Sequence, residues 1–201
     1  MGYLRFDSFY GSDWSGPTAV AAMNFLANAD AIIFDMPYNG GGQPSLIQLI
    51  TSYLFEGAVH LNSFQIRETD STQQFWTLPH LQGARFTGKP VYILISRKTF
   101  SAGEGFGYNL QAQGRAAVIG ENTLGGAHPG TSYRIHPQIE AFIPIGRSIN
   151  PITQTDFEGT GVLPDIPTTA AEALPTAYRM ALKLVIEAIG ETTSKPQKQI
   201  L

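Results

Sequence analysis

An α/β domain built on a largely parallel sheet is the fold class this sequence predicts, and two observations predict it. Over the first two-thirds of the chain, short apolar runs bounded by turn residues alternate with segments of helical period. At 201 residues, with 43% hydrophobic and 14% charged residues, the chain is long enough for one well-buried domain and short for two.

Taken in order, Tyr3, Leu4 and Phe6 predict a first strand, and residues 7–16 carry the Gly, Ser and Asp punctuation of a loop. The opening reads as strand with no capping residue ahead of it, so an upstream domain or signal peptide is expected before Met1. Residues 17–27 set Val20, Met23 and Leu26 among alanines at helical spacing, with Pro17 at the start. Ala31-Ile32-Ile33-Phe34 is a buried-strand run that ends in Asp35, before the turn-rich Pro37-Tyr38-Asn39-Gly40-Gly41-Gly42. Over residues 44–55, Leu46, Ile47, Leu49, Ile50 and Leu54 return to the helical period. Residues 62–74 are polar, with enough alternation at Phe64 and Ile66 for a hairpin, and close on Phe75-Trp76-Thr77-Leu78-Pro79. Pro90 leads a strand at Val91–Ile95, a helix is expected over 102–111, and Ala116, Val118 and Ile119 mark another strand. Residues 133–145 and 149–153 predict strand pieces broken by Pro137, Pro144 and Pro151, hence edges. A last helix is expected over 169–189, capped by Thr168 or Thr169. The domain then spans 2–190, and 191–201 forms a flexible polar tail.

Composition narrows the function classes. A net charge of −3 provides no basic stripe for phosphates, which argues against nucleic acid as a partner. With no cysteine there is no disulfide framework and no thiolate zinc site, and His60, His80 and His136 lack metal-ligand spacing, so neither a metal nor another cofactor is expected. No apolar run reaches the length of a membrane span.

The chemistry-bearing stretch is Thr99-Phe100-Ser101-Ala102-Gly103-Glu104, where the strand at Val91–Ile95 gives way to a helix. A serine followed by small residues at such a turn can expose its hydroxyl beside free backbone N–H groups, and those donors with the helix dipole favour developing negative charge. The same residues also describe an ordinary helix cap, with Glu104 three residues after Ser101 as a capping box.

Four segments in order resemble the tail-specific, or carboxy-terminal-processing, serine peptidase family. They are Gly2-Tyr3-Leu4-Arg5-Phe6, the run from Asp35 to Gly42, the run from Thr99 to Glu104, and Glu158-Gly159-Thr160-Gly161-Val162-Leu163-Pro164-Asp165. Phe75-Trp76-Thr77-Leu78-Pro79 and Gly120-Glu121 are similar to the branch holding the modules of interphotoreceptor retinoid-binding protein and their bacterial relatives. The resemblance implies a crotonase-like α/β fold, a spiral of strands flanked by helices, and a periplasmic or secreted location. It places Ser101 on the nucleophile and the N–H groups of Ala102 and Gly42 on the oxyanion donors. A glycine suits the second donor because no side chain then separates backbone from substrate. An ordinary tight turn also accounts for the three glycines.

The family's general base is a lysine, and its position in Thr123-Leu124-Gly125-Gly126 falls here on Gly126. A neutral amine cannot be replaced by nothing, so another base is required or the chemistry is lost. One substitute resembles the tricorn-type arrangement of Ser, His and Glu, with Glu158 matching the glutamate and the histidine supplied from upstream. The other is His128, two residues beyond the missing lysine, whose imidazole has a pKa suited to neutral pH. His128 also reads as a loop histidine, and Glu158 as a carboxylate that orients backbone. Asp35 is expected to tie the N–H groups of the following turn.

The leading expectation is a serine peptidase that hydrolyses peptide bonds through an acyl-enzyme on Ser101, with a His/Glu base system and a peptide or protein substrate. The alternative is a non-catalytic module that binds apolar ligands, retinoid or fatty acid, or peptides on the same scaffold. A homo-oligomer is compatible with either.

Overall fold

The all-apolar run Val91–Ile95 becomes the central strand of the molecule, every residue of it buried. In the computed structural model, which describes residues 1–193, β1 (Gly2–Arg5), β2 (Ile32–Asp35), β5 (Val91–Ile95), β6 (Ala117–Gly120) and β10 (Ile166–Pro167) form one parallel sheet in the order β1-β2-β5-β6-β10. Register pairs Phe34 with Ile93 and Leu94 with Ile119, stacking branched side chains on both faces. The predicted parallel sheet is therefore present.

Three crossover helices, α1 (Ser12–Leu26), α2 (Pro44–Ser52) and α3 (Ala102–Ala112), cover one face. Their apolar stripes, including Met23, Leu26, Leu46, Ile50, Phe106 and Leu110, meet Ile32, Phe34, Ile93 and Ile95 in the larger core. A fully buried side chain such as Ile93 contributes roughly 1.5–3 kcal/mol relative to exposure. The opposite face is covered by α4 (Ala170–Thr193), which meets Ile33, Tyr92, Leu94 and Ile119 through Ala173, Ala177 and Ala181. Alanine at every fourth residue keeps one narrow stripe against the sheet. α4 runs past the expected end at 189, and residues 194–201, most of the expected tail, lie outside the described residues.

A second sheet is antiparallel, β4-β3-β9, from β3 (His60–Ile66), β4 (Ser71–Trp76) and β9 (Gly146–Ile149). Beside it β7 (Gly130–His136) and β8 (Ile139–Pro144) make a separate hairpin.

Three local expectations fail for identifiable reasons. α1 starts at Ser12, five residues before Pro17, because the Gly11 carbonyl accepts the N–H groups of both Trp14 and Ser15 and the Ser15 hydroxyl backs it up. Residues 150–153 are a turn and not a strand, since Asn150 Oδ1 accepts the N–H groups of Ile152 and Thr153. β10 went unread; two residues with a proline give too little pattern.

Candidate active site

Carboxyl ends of parallel strands are where loops of different crossovers meet. Here the loops after β2, β5 and β6 meet there. The turn after β2 hydrogen-bonds the loop after β5 three times: Ser96 Oγ donates to Pro37 O at 2.5 Å, Thr99 Oγ1 to Met36 O at 2.9 Å, and Phe100 N–H to Asn39 O at 2.9 Å. These bonds press the three-glycine turn against Ser101. A Cβ on Gly41, where φ is +98°, would stand 2.7 Å from Ser101 Cβ and 2.9 Å from the Ala102 nitrogen.

Ser101 itself has φ +53° and ψ −119°, a sparsely populated conformation for a residue with a side chain. Such a residue stores on the order of 1–3 kcal/mol and persists only where its surroundings enforce it. Strained strand-to-helix turns of this kind lift a serine hydroxyl clear of the backbone. The predicted capping box is present. Its strong half is the Ser101 N–H donated to Glu104 Oε2 at 2.6 Å; the contact of the Ser101 hydroxyl with the Glu104 N–H is the looser half.

Glu104 does far more than cap. Its side chain is fully buried, and its two oxygens accept four hydrogen bonds. Oε2 takes the N–H groups of Ser101 and Gly126 (3.0 Å), and Oε1 takes the Gly125 N–H and the Thr123 hydroxyl, both at 2.6 Å. One carboxylate thus fastens the nucleophile turn to the loop after β6.

The same loop is held further on by Glu158, whose Oε2 accepts the N–H groups of Ala127 at 2.7 Å and His128 at 3.1 Å. The His128 ring stands between two carboxylates, Nε2 at 3.5 Å from Asp156 and Nδ1 at 3.9 Å from Glu158. Glu158 therefore orients backbone and also lies near the imidazole. Among the described residues no histidine is hydrogen-bonded to Ser101. The His60 ring stacks on Trp76 and contacts Ser63 Oγ at 2.9 Å, while the His136 Nδ1 accepts the Gln138 N–H.

Gly42 and Ala102, the expected oxyanion donors, keep their N–H groups unused among the described residues, while the amides around them are taken. Phe9 N–H donates to Gly41 O, Gly41 N–H to Asn39 Oδ1, and Gln43 N–H to Phe9 O. A Cβ on Gly42 would lie 2.1 Å from the Phe9 carbonyl oxygen, so only glycine fits this backbone contact.

Ser101, Ala102, Gly42 and His128 all line one cavity of about 660 Å³. Its far wall is apolar, with Leu61, Phe64 and Phe75 from the antiparallel sheet and Phe142 from the β7–β8 hairpin. Glu158 is not part of this lining. No group of three or more metal-ligating side chains forms among the described residues, and no described helix is long and apolar enough to cross a membrane.

One expectation changes. Asp35 does not tie the turn; its carboxylate accepts the Tyr3 hydroxyl, and Asn39 serves the turn instead. Burial first, and then the Asp35 carboxylate, push the Tyr3 hydroxyl up to about 12. The missing lysine also has a steric counterpart, because a Cβ on Gly126 would stand 2.2 Å from the Phe100 ring. Sequence reasoning missed the hub role of Glu104, although one signal was available: it is the sole charged residue of α3.

Known proteins resemble this chain in sequence and in fold. The model of peptidase family S41 matches residues 1–168. Among solved structures, the photosystem II D1 C-terminal processing protease is 21% identical with a TM-score of 0.66, covering 84% of this chain and 42% of its own. Mature CPAF is 15% identical with a TM-score of 0.70, covering 99% and 53%. A putative peptidase from Parabacteroides merdae is 19% identical with a TM-score of 0.66, covering 99% and 63%. The chain thus spans between two-fifths and two-thirds of the length of these structures, and it shares their crotonase-type α/β fold.

Proposed function

The chain belongs to peptidase family S41, and from that premise we propose that it is the catalytic portion of a serine peptidase acting through an acyl-enzyme on Ser101. The observation that carries the reading is the pairing of a strained, cavity-lining serine with two unused N–H donors, Gly42 and Ala102, beside it. In this scheme Ser101 Oγ attacks the carbonyl carbon of a peptide bond while an imidazole takes its proton. The carbonyl oxygen becomes an oxyanion between the Gly42 and Ala102 N–H groups, where preorganised donors are worth about 10²–10³ in rate each. Collapse expels the amine, protonated by the same imidazole, and water then hydrolyses the ester.

His128 is the candidate base within this chain. It lines the cavity with Ser101, and catalytic hydrogen bonds are often long before substrate binds. Glu158, 3.9 Å from Nδ1, would stabilise the imidazolium. An imidazole from outside these residues would use the same glutamate, whose Oε1 has no hydrogen-bond partner among the described residues. The family also supports export to the periplasm or beyond. The 2–190 domain is then the part of the protein that holds the chemistry.

The deciding experiment is labelling with a fluorophosphonate probe, followed by peptide mapping. An adduct on Ser101, lost in Ser101→Ala and reduced in His128→Ala, is expected. No adduct, together with retinol or fatty-acid binding indifferent to Ser101→Ala, would favour a non-catalytic module using the apolar wall.

A further inference from the structure

A second depression lies against the catalytic cavity, lined by Tyr10, Gly11, Asp13, Trp14, Gln43 and Ser45. Gln43 and Ser45 line the catalytic cavity as well, so the two adjoin at the residue that follows Gly42. Its walls are fixed to the oxyanion turn. Phe9 pairs with Gly42 as an isolated parallel bridge, and the Ser12 N–H donates to Ser45 Oγ at 3.1 Å.

The chemistry of the groove differs from that of the cavity. Trp14 is 87% exposed and Tyr10 68%, two aromatic rings standing in water at the start of α1. Asp13 lies between them in sequence, exposed and without an ion pair among the described residues, and no lysine or arginine lines the groove. Single exposed aromatics are common on surfaces; two beside an unpaired carboxylate, at the rim of a catalytic cavity, form a matched set for a cation.

We propose that this groove is a substrate subsite that takes a lysine or arginine side chain of the peptide, a short distance along the chain from the scissile bond. The proposal rests on the peptidase reading and names a specificity for it. A long basic side chain lays its methylene stem on the rings while its charge meets their π-faces and the Asp13 carboxylate. Asp13 has a further part to play, since the positive end of the α1 dipole opposes a cation unless a first-turn carboxylate offsets it. Both contacts stay partly solvated, so the preference for lysine over an uncharged residue of equal length is about five- to tenfold. A glutamate at the same place meets Asp13 and is disfavoured.

The test uses two readouts on the full chain. Peptides carrying lysine, norleucine or glutamate at one position at a time are titrated by calorimetry into the Ser101→Ala protein, and the same set is offered to the unmodified protein for cleavage. One position should show five- to tenfold tighter binding for lysine than for norleucine, with glutamate weakest. Trp14→Ala and Asp13→Asn should each remove most of that preference while leaving fluorophosphonate labelling of Ser101 unchanged. Cleavage without a lysine preference at any position, or a preference untouched by both variants, overturns the subsite and leaves the peptidase reading standing. Lysine-dependent binding with no cleavage and no labelling keeps the groove as a peptide site and overturns the peptidase. Absence of any peptide binding overturns both.

Discussion

Replacing Glu104 by glutamine removes one charge and changes almost no volume, which makes it a clean probe of the hub that joins nucleophile and loop. The carboxylate accepts four hydrogen bonds, and glutamine offers one oxygen and one NH₂ group in their place. With its oxygen toward Gly125 and Thr123, the NH₂ would face the N–H groups of Ser101 and Gly126, donor against donor. The reverse orientation is better: Ser101 and Gly126 keep an acceptor, and the NH₂ faces the Gly125 N–H and the Thr123 hydroxyl. Thr123 Oγ1 already accepts the Val162 N–H at 2.7 Å and can turn its second lone pair to the new donor. The Gly125 N–H then loses its acceptor in a half-buried place, at about 1–3 kcal/mol. The two retained bonds also fall from charge-assisted to neutral strength, about 1 kcal/mol each. The sum is roughly 3–5 kcal/mol of lost stability, which for a chain of this length lowers Tm by about 10 °C. Urea unfolding followed by circular dichroism measures it, and labelling of Ser101 measured well below Tm should fall because the 123–128 loop is released. An unfolding free energy within about 0.5 kcal/mol of the unmodified protein's would refute the claim that this carboxylate holds the site together.

Four further outcomes are expected. Gly41→Ala should cut peptide hydrolysis by at least about 10²-fold, because the new Cβ, on a φ of +98°, presses on Ser101 and Ala102 where the oxyanion must sit; near-normal kcat would refute this placement. Ser101→Gly should abolish labelling and raise stability by about 1 kcal/mol in urea, since glycine relieves the φ of +53°; a less stable variant would show that the turn is not strained. Gly126→Lys should neither fold well nor work while Phe100 is present, whereas adding Phe100→Ala should restore expression and thermal stability, read by yield and Tm. At alkaline pH the sign follows from Tyr3: its raised value of about 12 means the folded state holds the proton more tightly than the unfolded chain does. That stabilisation is complete below about pH 10 and is lost as pH rises through about 12. Absorbance titration at alkaline pH should lose a component near 12 in Tyr3→Phe.

Sheet, crossover helices and nucleophile turn were legible because each rests on a short-range signal. Val91–Ile95 is buried on both faces and is written as five apolar residues, so its bounds could be read directly. The start of α1 was not legible, because Ser12 and Gly11 are turn formers by type and only the carbonyl of Gly11 shows that they nucleate a helix. Asn39 took the role expected of Asp35 for a related reason. Both can serve a turn; which one does depends on whether Tyr3, on a neighbouring strand, has already taken the carboxylate. Contacts 32 residues apart leave no mark in a local pattern. Ser101, Ala102, Gly42 and His128 were named from short motifs, and the fold brings them to one cavity. That Glu104 reaches the loop after β6 depends on how two crossovers meet, which no motif encodes.

The loop after β6 explains how a site of this type can lose its lysine without losing its shape. In this chain residues 123–128 are fixed by two glutamates, Glu104 taking Thr123, Gly125 and Gly126, and Glu158 taking Ala127 and His128. None of these bonds involves the side chain at 126, so a glycine there leaves the loop in place and frees the space that the Phe100 ring fills. On the proposed peptidase reading the base then comes from elsewhere, and the loop's own architecture limits where. Glu158 Oε2 takes backbone N–H groups and stands 3.9 Å from His128 Nδ1, which leaves Oε1 for an imidazole from elsewhere, and His128 already has Asp156 3.5 Å from its Nε2. If His128 is the base, its ring must turn Nε2 from Asp156 toward Ser101 while Nδ1 stays near Glu158. Asp156→Asn should then ease that turn and raise the labelling rate of Ser101, and His128→Ala should lower it. If the imidazole comes from outside residues 1–201, the same variant should leave labelling unchanged and His128→Ala should be tolerated. The pair of variants separates the two sources of the base without any assumption about substrate.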